Sequence, residues 1–242
     1  MADAKIRLCV EHPLGPGQPV PLSQDQAHYL FGVMRLGVGA AVLLFNGRDG
    51  EWRAEVVEAG KRGGILFCGA QTKPLQMPCD LWLLFAPIKK ARTDFIVEKA
   101  VEMGVGRILP VQTQHTHADR IRQDKLQAHA MEAAEQCGAT VVPKVAELVG
   151  LEKVLAGWDG ARRILWCDEA LAGVPSALAN GGRGQPWAIL IGPEGGFSDR
   201  EQARLRAMPC VVPVSLGPRI LRTDTAAVAA LTLWQAALGD WL

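Results

Sequence analysis

Between Thr72 and Pro78 the hydrophobic period of this chain changes, so one polypeptide must satisfy two different architectures. Pro74 and Pro78 suit neither a helix interior nor a central strand, because proline fixes φ and lacks the N–H that both need. Before this break, up to Gln71, apolar residues alternate with period two: Ile6, Leu8 and Val10, then Ala41 to Phe45, then Trp52, Ala54 and Val56 within Glu51 to Ala59. That is the pattern of strands with one buried face, and it predicts a small β-barrel. Asn46-Gly47-Arg48-Asp49-Gly50 supplies a hairpin turn, since Gly and Asn tolerate the positive φ that such turns require. His28 to Arg35 is the one segment there with helical character.

Beyond Pro78 strands and helices alternate: Leu81 to Ala86, a helix near Thr93 to Met103, Arg107 to Val111, then a helix near Gln123 to Cys137. Gly104 and Gly138 follow the two helices at the C-cap, where glycine adopts the left-handed conformation cheaply. Arg163 to Cys167, Trp187 to Ile191 and Val211 to Val214 read as buried strands, and Thr225 to Leu238 as an apolar closing helix. The alternation predicts an α/β domain built on a parallel sheet. A chain of 242 residues accommodates two domains, and the break places them at 1–72 and 73–242.

Ligands of parallel sheets gather at the carboxyl ends of the strands, where loops and helix N-termini collect backbone donors. Two loops there stand out. Ile191-Gly192-Pro193-Glu194-Gly195-Gly196-Phe197-Ser198 ends a strand in a glycine-rich turn, and Ser198 with Glu201 forms a capping box that starts a helix. Val214 to Leu231 repeats strand, Gly-Pro turn and helix, with Arg219, Arg222, Thr223 and Asp224 at the turn. One such glycine cluster alone is a tight connection; two point to one shared pocket.

Other chemistries find no support. There is no phosphate-binding GxxxxGK[ST], and Gly37-Val38-Gly39 lacks the third glycine of a dinucleotide fingerprint. No GxSxG elbow is present, and no serine or cysteine is paired with an activating histidine. His115-Thr116-His117 has no carboxylate or cysteine to complete a metal set. The six cysteines lie far apart without zinc spacing and read as buried thiols of a reducing compartment. With no apolar signal region after Asp3, Lys5 and Arg7 and no membrane-length apolar run, the expected location is the cytoplasm. Lys and Arg number 26 against 25 acidic residues, so any RNA site must be local. Lys61-Arg62, Lys89-Lys90 with Arg92, Arg120 with Arg122 and Lys125, and Arg162-Arg163 are the basic clusters.

IGPEGGFSDRE, from Ile191, and LGPRILRTDTAAVAAL, from Leu216, resemble the two signature loops of the SPOUT methyltransferases that modify uridine N3 in small-subunit (16S) ribosomal RNA, the RsmE type. The likeness extends to HYLFGVMRLGVGAAVLLFNGRDGEW, similar to that family's N-terminal RNA-binding barrel, and to KKARTDFIVEKAVEMGVGRILPV and EAAEQCGATVVP in its catalytic domain. It therefore covers nearly the whole chain. The resemblance implies a trefoil-knotted C-terminal domain, a PUA-like β-barrel at the N-terminus, a homodimer, S-adenosylmethionine as methyl donor and no metal. It places the donor against main-chain groups around Ile191, Gly192, Gly196, Leu216, Gly217, Ile220 and Leu221. Removal of the N3 proton leaves an anionic base that a nearby arginine can compensate. Arg222 is the candidate, with Glu194 or Asp224 accepting the proton or orienting the arginine. Arg7, Arg35, Lys89, Lys90 and Arg92 are the candidates for RNA phosphate contacts.

Two departures are visible: Asp224 stands where the family commonly has glutamate, which keeps the carboxylate, and Ala139 stands where arginine is common, which removes a charge. The apolar end of the chain, Trp234, Leu238, Trp241 and Leu242, would be covered by a second copy. Alternative readings are a knotted methyltransferase acting on transfer RNA or on a ribose 2′-hydroxyl, and an RNA-binding ribosome-assembly protein without activity.

Overall fold

The computed structural model describes residues 4–118, 120–168 and 182–241. Asp3 and Leu242 lie outside them. The chain divides into two compact units, residues 1–77 with 134–142, and residues 78–133 with 143–242.

In the first unit the strands are β1 (Arg7–Cys9), β2 (Pro19–Pro21), β3 (Ala41–Phe45), β4 (Glu51–Gly60) and β5 (Gly63–Lys73). They form one sheet in the order β1-β3-β4-β5-β2, parallel at β1-β3 and antiparallel elsewhere. The alternation read from the sequence is a burial alternation: Val42, Leu44, Ala54, Val56 and Leu66 share one core with Leu8, Val20 and Leu30. Gly47 and Gly50 take φ of +74° and +77° in the turn joining β3 to β4, as the hairpin demands. Strands β2 and β5 gave weak sequence signals, the first because it is Pro-Val-Pro and the second because Gly63-Gly64 opens it.

The helical segment starts earlier and stops sooner than its apolar pattern indicates. Ser23 accepts from the Gln26 N–H and Gln26 reaches back to the Ser23 N–H, so α1 begins at Gln24 and runs through Ala27 into a π-helical turn, His28–Val33. It cannot include Arg35, whose φ of +56° is left-handed.

The second unit is a parallel sheet in the order β12-β10-β11-β6-β7-β8, with β9 paired to β7. Its elements, in chain order, are β6 (Leu81–Phe85), α2 (Lys90–Glu102), β7 (Arg107–Gln112), α3 (Gln123–Cys137, whose last turn belongs to the first unit), β8 (Lys144–Val145), β9 (Val149–Gly150), α4 (Leu151–Ala156), β10 (Arg163–Cys167), β11 (Trp187–Ile191), α5 (Asp199–Arg206), β12 (Val211–Val214) and α6 (Thr223–Leu238). Central strand β11, Trp-Ala-Ile-Leu-Ile, is buried at every position, the near-continuous apolar run of a sheet covered on both faces. Ile164, Trp166, Ala188 and Leu190 share a core with Leu151, Leu155 and Leu205 from α4 and α5. Helix α6 packs on β11 and against α2. The buried Gln235 of α6 donates to the Met103 carbonyl at the end of α2 and accepts from the Asp240 N–H. Gly104 has a φ of +73° and Gly138 of +85°, the C-cap conformation inferred for both.

Trp234 and Leu238 turn inward: they are 2% and 6% exposed, covered by their own unit. The apolar surface that α6 and the chain end do present is Leu233 and Trp241, at 43% and 50%.

Candidate functional site

Two loops and the end of a third strand meet at the carboxyl ends of β10, β11 and β12. The first follows β11. Ile191 is buried and hands over to Gly192, where a Cβ would stand 2.8 Å from the Phe197 ring, so only glycine lets the loop fold back there. Phe197 in turn stacks edge-on against Trp166 with centroids 6.0 Å apart. Gly196 has a φ of +67° and donates its N–H to the Pro193 carbonyl, closing the turn.

The loop ends in the capping box inferred from Ser198 and Glu201. The buried Glu201 carboxylate does more than cap. One oxygen accepts the Ser198 N–H and hydroxyl, each at 2.9 Å, while the other accepts the Gln114 N–H at 2.9 Å from the turn after β7. From that same turn His115 places Nδ1 3.0 Å from the Gly195 carbonyl and 3.2 Å from that of Gly196. Both partners are acceptors, so Nδ1 carries the proton and donates. Glu201→Ala should lower stability by about 1–3 kcal/mol by stranding buried donors, seen as a lower unfolding temperature; an unchanged transition would show that Glu201 holds nothing.

The second loop follows β12. Gly217 takes a φ of +112° and its N–H donates to Ser215 Oγ. Thr223, the first residue of α6, donates its hydroxyl to the Gly192 carbonyl at 3.2 Å and so ties the two loops together. The third contribution comes from the end of β10. One cavity is lined by residues of all of them: Trp166, Cys167 and Asp168, then Ile191 to Phe197 without Gly195, and Ser215 to Leu221 without Pro218, with Thr223. Ile191, Gly192, Gly196, Leu216, Gly217, Ile220 and Leu221, the expected donor contacts, are all on its wall, and Glu194 joins them.

The sequence reading missed Asp168, and it named Phe197 and Thr223 only as loop positions without a role in the wall. Asp168 follows a strand whose carboxyl end was available as a signal, whereas Phe197 reaches the wall only because Gly192 leaves room for its ring. Burial pushes the Cys167 thiol up to about 12, which keeps it protonated and inert as a nucleophile.

The charged candidates are arranged differently from expectation. Arg222 stands at the N-cap of α6, where its carbonyl accepts the Ala226 N–H, and its exposed side chain makes no hydrogen bond or ion pair among the described residues. Glu194 and Asp224 face Arg92 instead. Arg92 Nη1 lies 3.5 Å from Glu194 Oε1 and its Nε 3.8 Å from Asp224 Oδ2.

Of the other cations, Lys89 and Arg35 are exposed. Lys90 is exposed and paired with Asp94 one turn later at 2.8 Å. Arg7, in the first unit and a candidate for a phosphate contact, is tied into the fold. Its Nε bonds Glu51 at 2.7 Å, and its remaining nitrogens donate to the carbonyls of Ala134, Glu135 and Ala139. Four of its five N–H groups are engaged in the fold, which leaves one on Nη2 for a phosphate.

No group of three or more His, Cys, Asp or Glu side chains that could hold a metal occurs among the described residues. The cavity suits a ligand with an adenosine-like portion: flexible glycines allow close backbone approach, and Trp166, Ile191, Phe197 and Leu221 provide apolar walls. Among the described residues, no helix is long and apolar enough to cross a membrane.

Residues 75–235 match the family model of an RNA methyltransferase domain, and residues 22–66 that of an RNA methyltransferase PUA domain. The ribosomal RNA small subunit methyltransferase E of Rickettsia conorii is 27% identical over 93% of this chain and 93% of that protein. A Neisseria gonorrhoeae structure of a ribosomal RNA small subunit methyltransferase E bound to S-adenosyl methionine superposes with a TM-score of 0.89 at 25% identity, covering 98% of this chain and 99% of that one. A Legionella pneumophila structure in complex with bound cofactor SAM gives a TM-score of 0.90 at 28% identity, covering 99% and 100%.

Proposed function

The chain belongs to the RNA methyltransferase family, and from that premise we propose that it transfers the methyl group of S-adenosylmethionine to N3 of a uridine in small-subunit (16S) ribosomal RNA. The observation that carries the reading is the cavity at the carboxyl ends of β10, β11 and β12, with its glycines at positive φ and its walls of main chain and apolar side chains. The relatives of matching length named for the small ribosomal subunit support the RNA class.

When bound, S-adenosylmethionine supplies a methyl group already activated by a sulfonium, so the protein's task is to hold, orient and exclude water. Gly192, Gly196 and Gly217 let the backbone close on the donor, and the Thr223 bond to the Gly192 carbonyl fixes the spacing of the two loops. Phe197 and Trp166 keep that side dry. The target base must leave its stack to reach this depth.

The same reading carries a trefoil knot to residues 73–242 and an RNA-binding barrel to residues 1–72. Exposed Arg35, Lys89 and Arg222 would meet the RNA, and the chain would work in the cytoplasm. Because phosphate contacts act by counterion release, RNA affinity should fall steeply with salt. A homodimer would cover Leu233 and Trp241, and sedimentation showing only monomer at micromolar concentration would remove it. A binding platform without activity has the intact donor cavity against it.

The test is incubation of the protein with methyl-labelled donor and, separately, small subunits, large subunits and transfer RNA. Label confined to small-subunit RNA is expected. Label in transfer RNA, or in none of the three, would overturn the reading.

A further inference from the structure

Arg92 leaves the first turn of α2 and ends between carboxylates from two other elements, Glu194 of the glycine loop and Asp224 of the first turn of α6. Its separations of 3.5 and 3.8 Å from them exceed the roughly 2.7–3.2 Å of an N–H···O hydrogen bond. The carboxylates therefore hold the guanidinium by charge without consuming its donors. Nη1 is closed off from solvent and has no hydrogen-bond partner among the described residues. Buried donors are nearly always satisfied in native folds, so one that is not calls for an explanation in strain, a bound water or a functional role; of the five such atoms among the described residues, Arg92 Nη1 is the one whose side chain forms an ion pair with a residue of the cavity wall. Glu194, whose carboxylate lies 3.5 Å from this nitrogen, is itself on the wall of the donor cavity, so Arg92 stands directly behind a wall residue.

We infer that Arg92 is the catalytic cation of the methyl transfer, donating Nη1–H to a carbonyl oxygen of the target uracil, with Glu194 and Asp224 as the positioning residues that hold it. This rests on the uridine-N3 reading above. In the step, the N3 proton passes to solvent hydroxide, leaving a negative charge spread over N3 and the two ring carbonyl oxygens. The N3 electron pair then forms a bond to the methyl carbon while the pair of the carbon–sulfur bond stays on sulfur as a neutral thioether. Arg92 stabilises the anion in that interval, in a site where a fixed donor costs no reorganisation. Exposed and unpaired, Arg222 has no such fixed position. On the same helix as Arg92, Lys90 and Asp94 pair with each other at 2.8 Å.

The experiment compares wild type and Arg92→Gln by donor calorimetry and by single-turnover methylation of small subunits across pH. Expected are an unchanged donor dissociation constant and a rate lower by roughly 100-fold at pH 7, the scale of deleting one anion-stabilising donor. The deficit should shrink as pH rises, because Arg92 lowers the pH at which bound uridine ionises and the variant reaches its plateau later. A deficit independent of pH would overturn the inference in favour of a structural role, as would a rate equal to wild type. Loss of donor binding would overturn it too, by placing Arg92 with the donor and not the base. Failure of the wild type to form 3-methyluridine would instead defeat the reading beneath it.

Discussion

Gly196→Val is expected to raise the dissociation constant for S-adenosylmethionine by roughly 5- to 100-fold, measured by calorimetry. Gly196 lies on the cavity wall with a φ of +67°, where a β-branched residue is strained. Holding a side chain in such a region costs on the order of 1–3 kcal/mol, and each 1.4 kcal/mol is about tenfold in affinity. The loop has little freedom to absorb that strain. Its N–H is bonded to the Pro193 carbonyl, its own carbonyl receives His115 Nδ1, and the capping box at Ser198 fixes its far end. Either the loop gives way and loses its shape, or the valine projects into the cavity. An unchanged dissociation constant in a folded variant would remove this loop from the donor site.

Arg7→Ala should be the most destabilising single change in the first unit, by about 3–5 kcal/mol, the range for removing one partner of a buried ion pair. The side chains of Arg7 and Glu51 are only 10% and 2% exposed, and their contact is 2.7 Å. The variant leaves the Glu51 carboxylate with the Thr72 hydroxyl at 2.8 Å and Lys73 at a looser 3.8 Å. It also strips the carbonyls of Ala134, Glu135 and Ala139 of a shared donor. Adding Glu51→Gln should recover part of the loss, because the stranded charge is then gone. Urea unfolding of the two variants measures both effects. A loss below 1 kcal/mol would mean that Arg7 is free to serve the RNA.

Much of the fold was legible because strand burial writes itself as period: β3, β10, β11, β12 and α3 have the bounds that their apolar residues indicate. The two-residue strands β8 and β9 and the short α4 carry too few residues to show any period. The glycine loops were legible as loops, since Gly192, Gly196 and Gly217 are positions where a side chain would clash or strain. Side-chain pairing was not. Arg7 looks like any N-terminal cation, and nothing local to it announces Glu51 or the three carbonyls far along the chain. Arg92 read as one member of a basic cluster, yet its neighbours in sequence, Lys89 and Lys90, point elsewhere, and its partners lie on elements more than 100 residues away. Charge patterns report composition of a surface, whereas ion pairs are set by tertiary packing.

The identity of the methylated nucleoside is the most direct test of a uridine-N3 methyltransferase. The protein should be incubated with methyl-labelled S-adenosylmethionine and small ribosomal subunits that lack the modification, and the RNA digested for nucleoside mass spectrometry. The prediction is label in 3-methyluridine alone. Label in a ribose-methylated nucleoside or in any other base, or no label although calorimetry shows the donor bound, would contradict it.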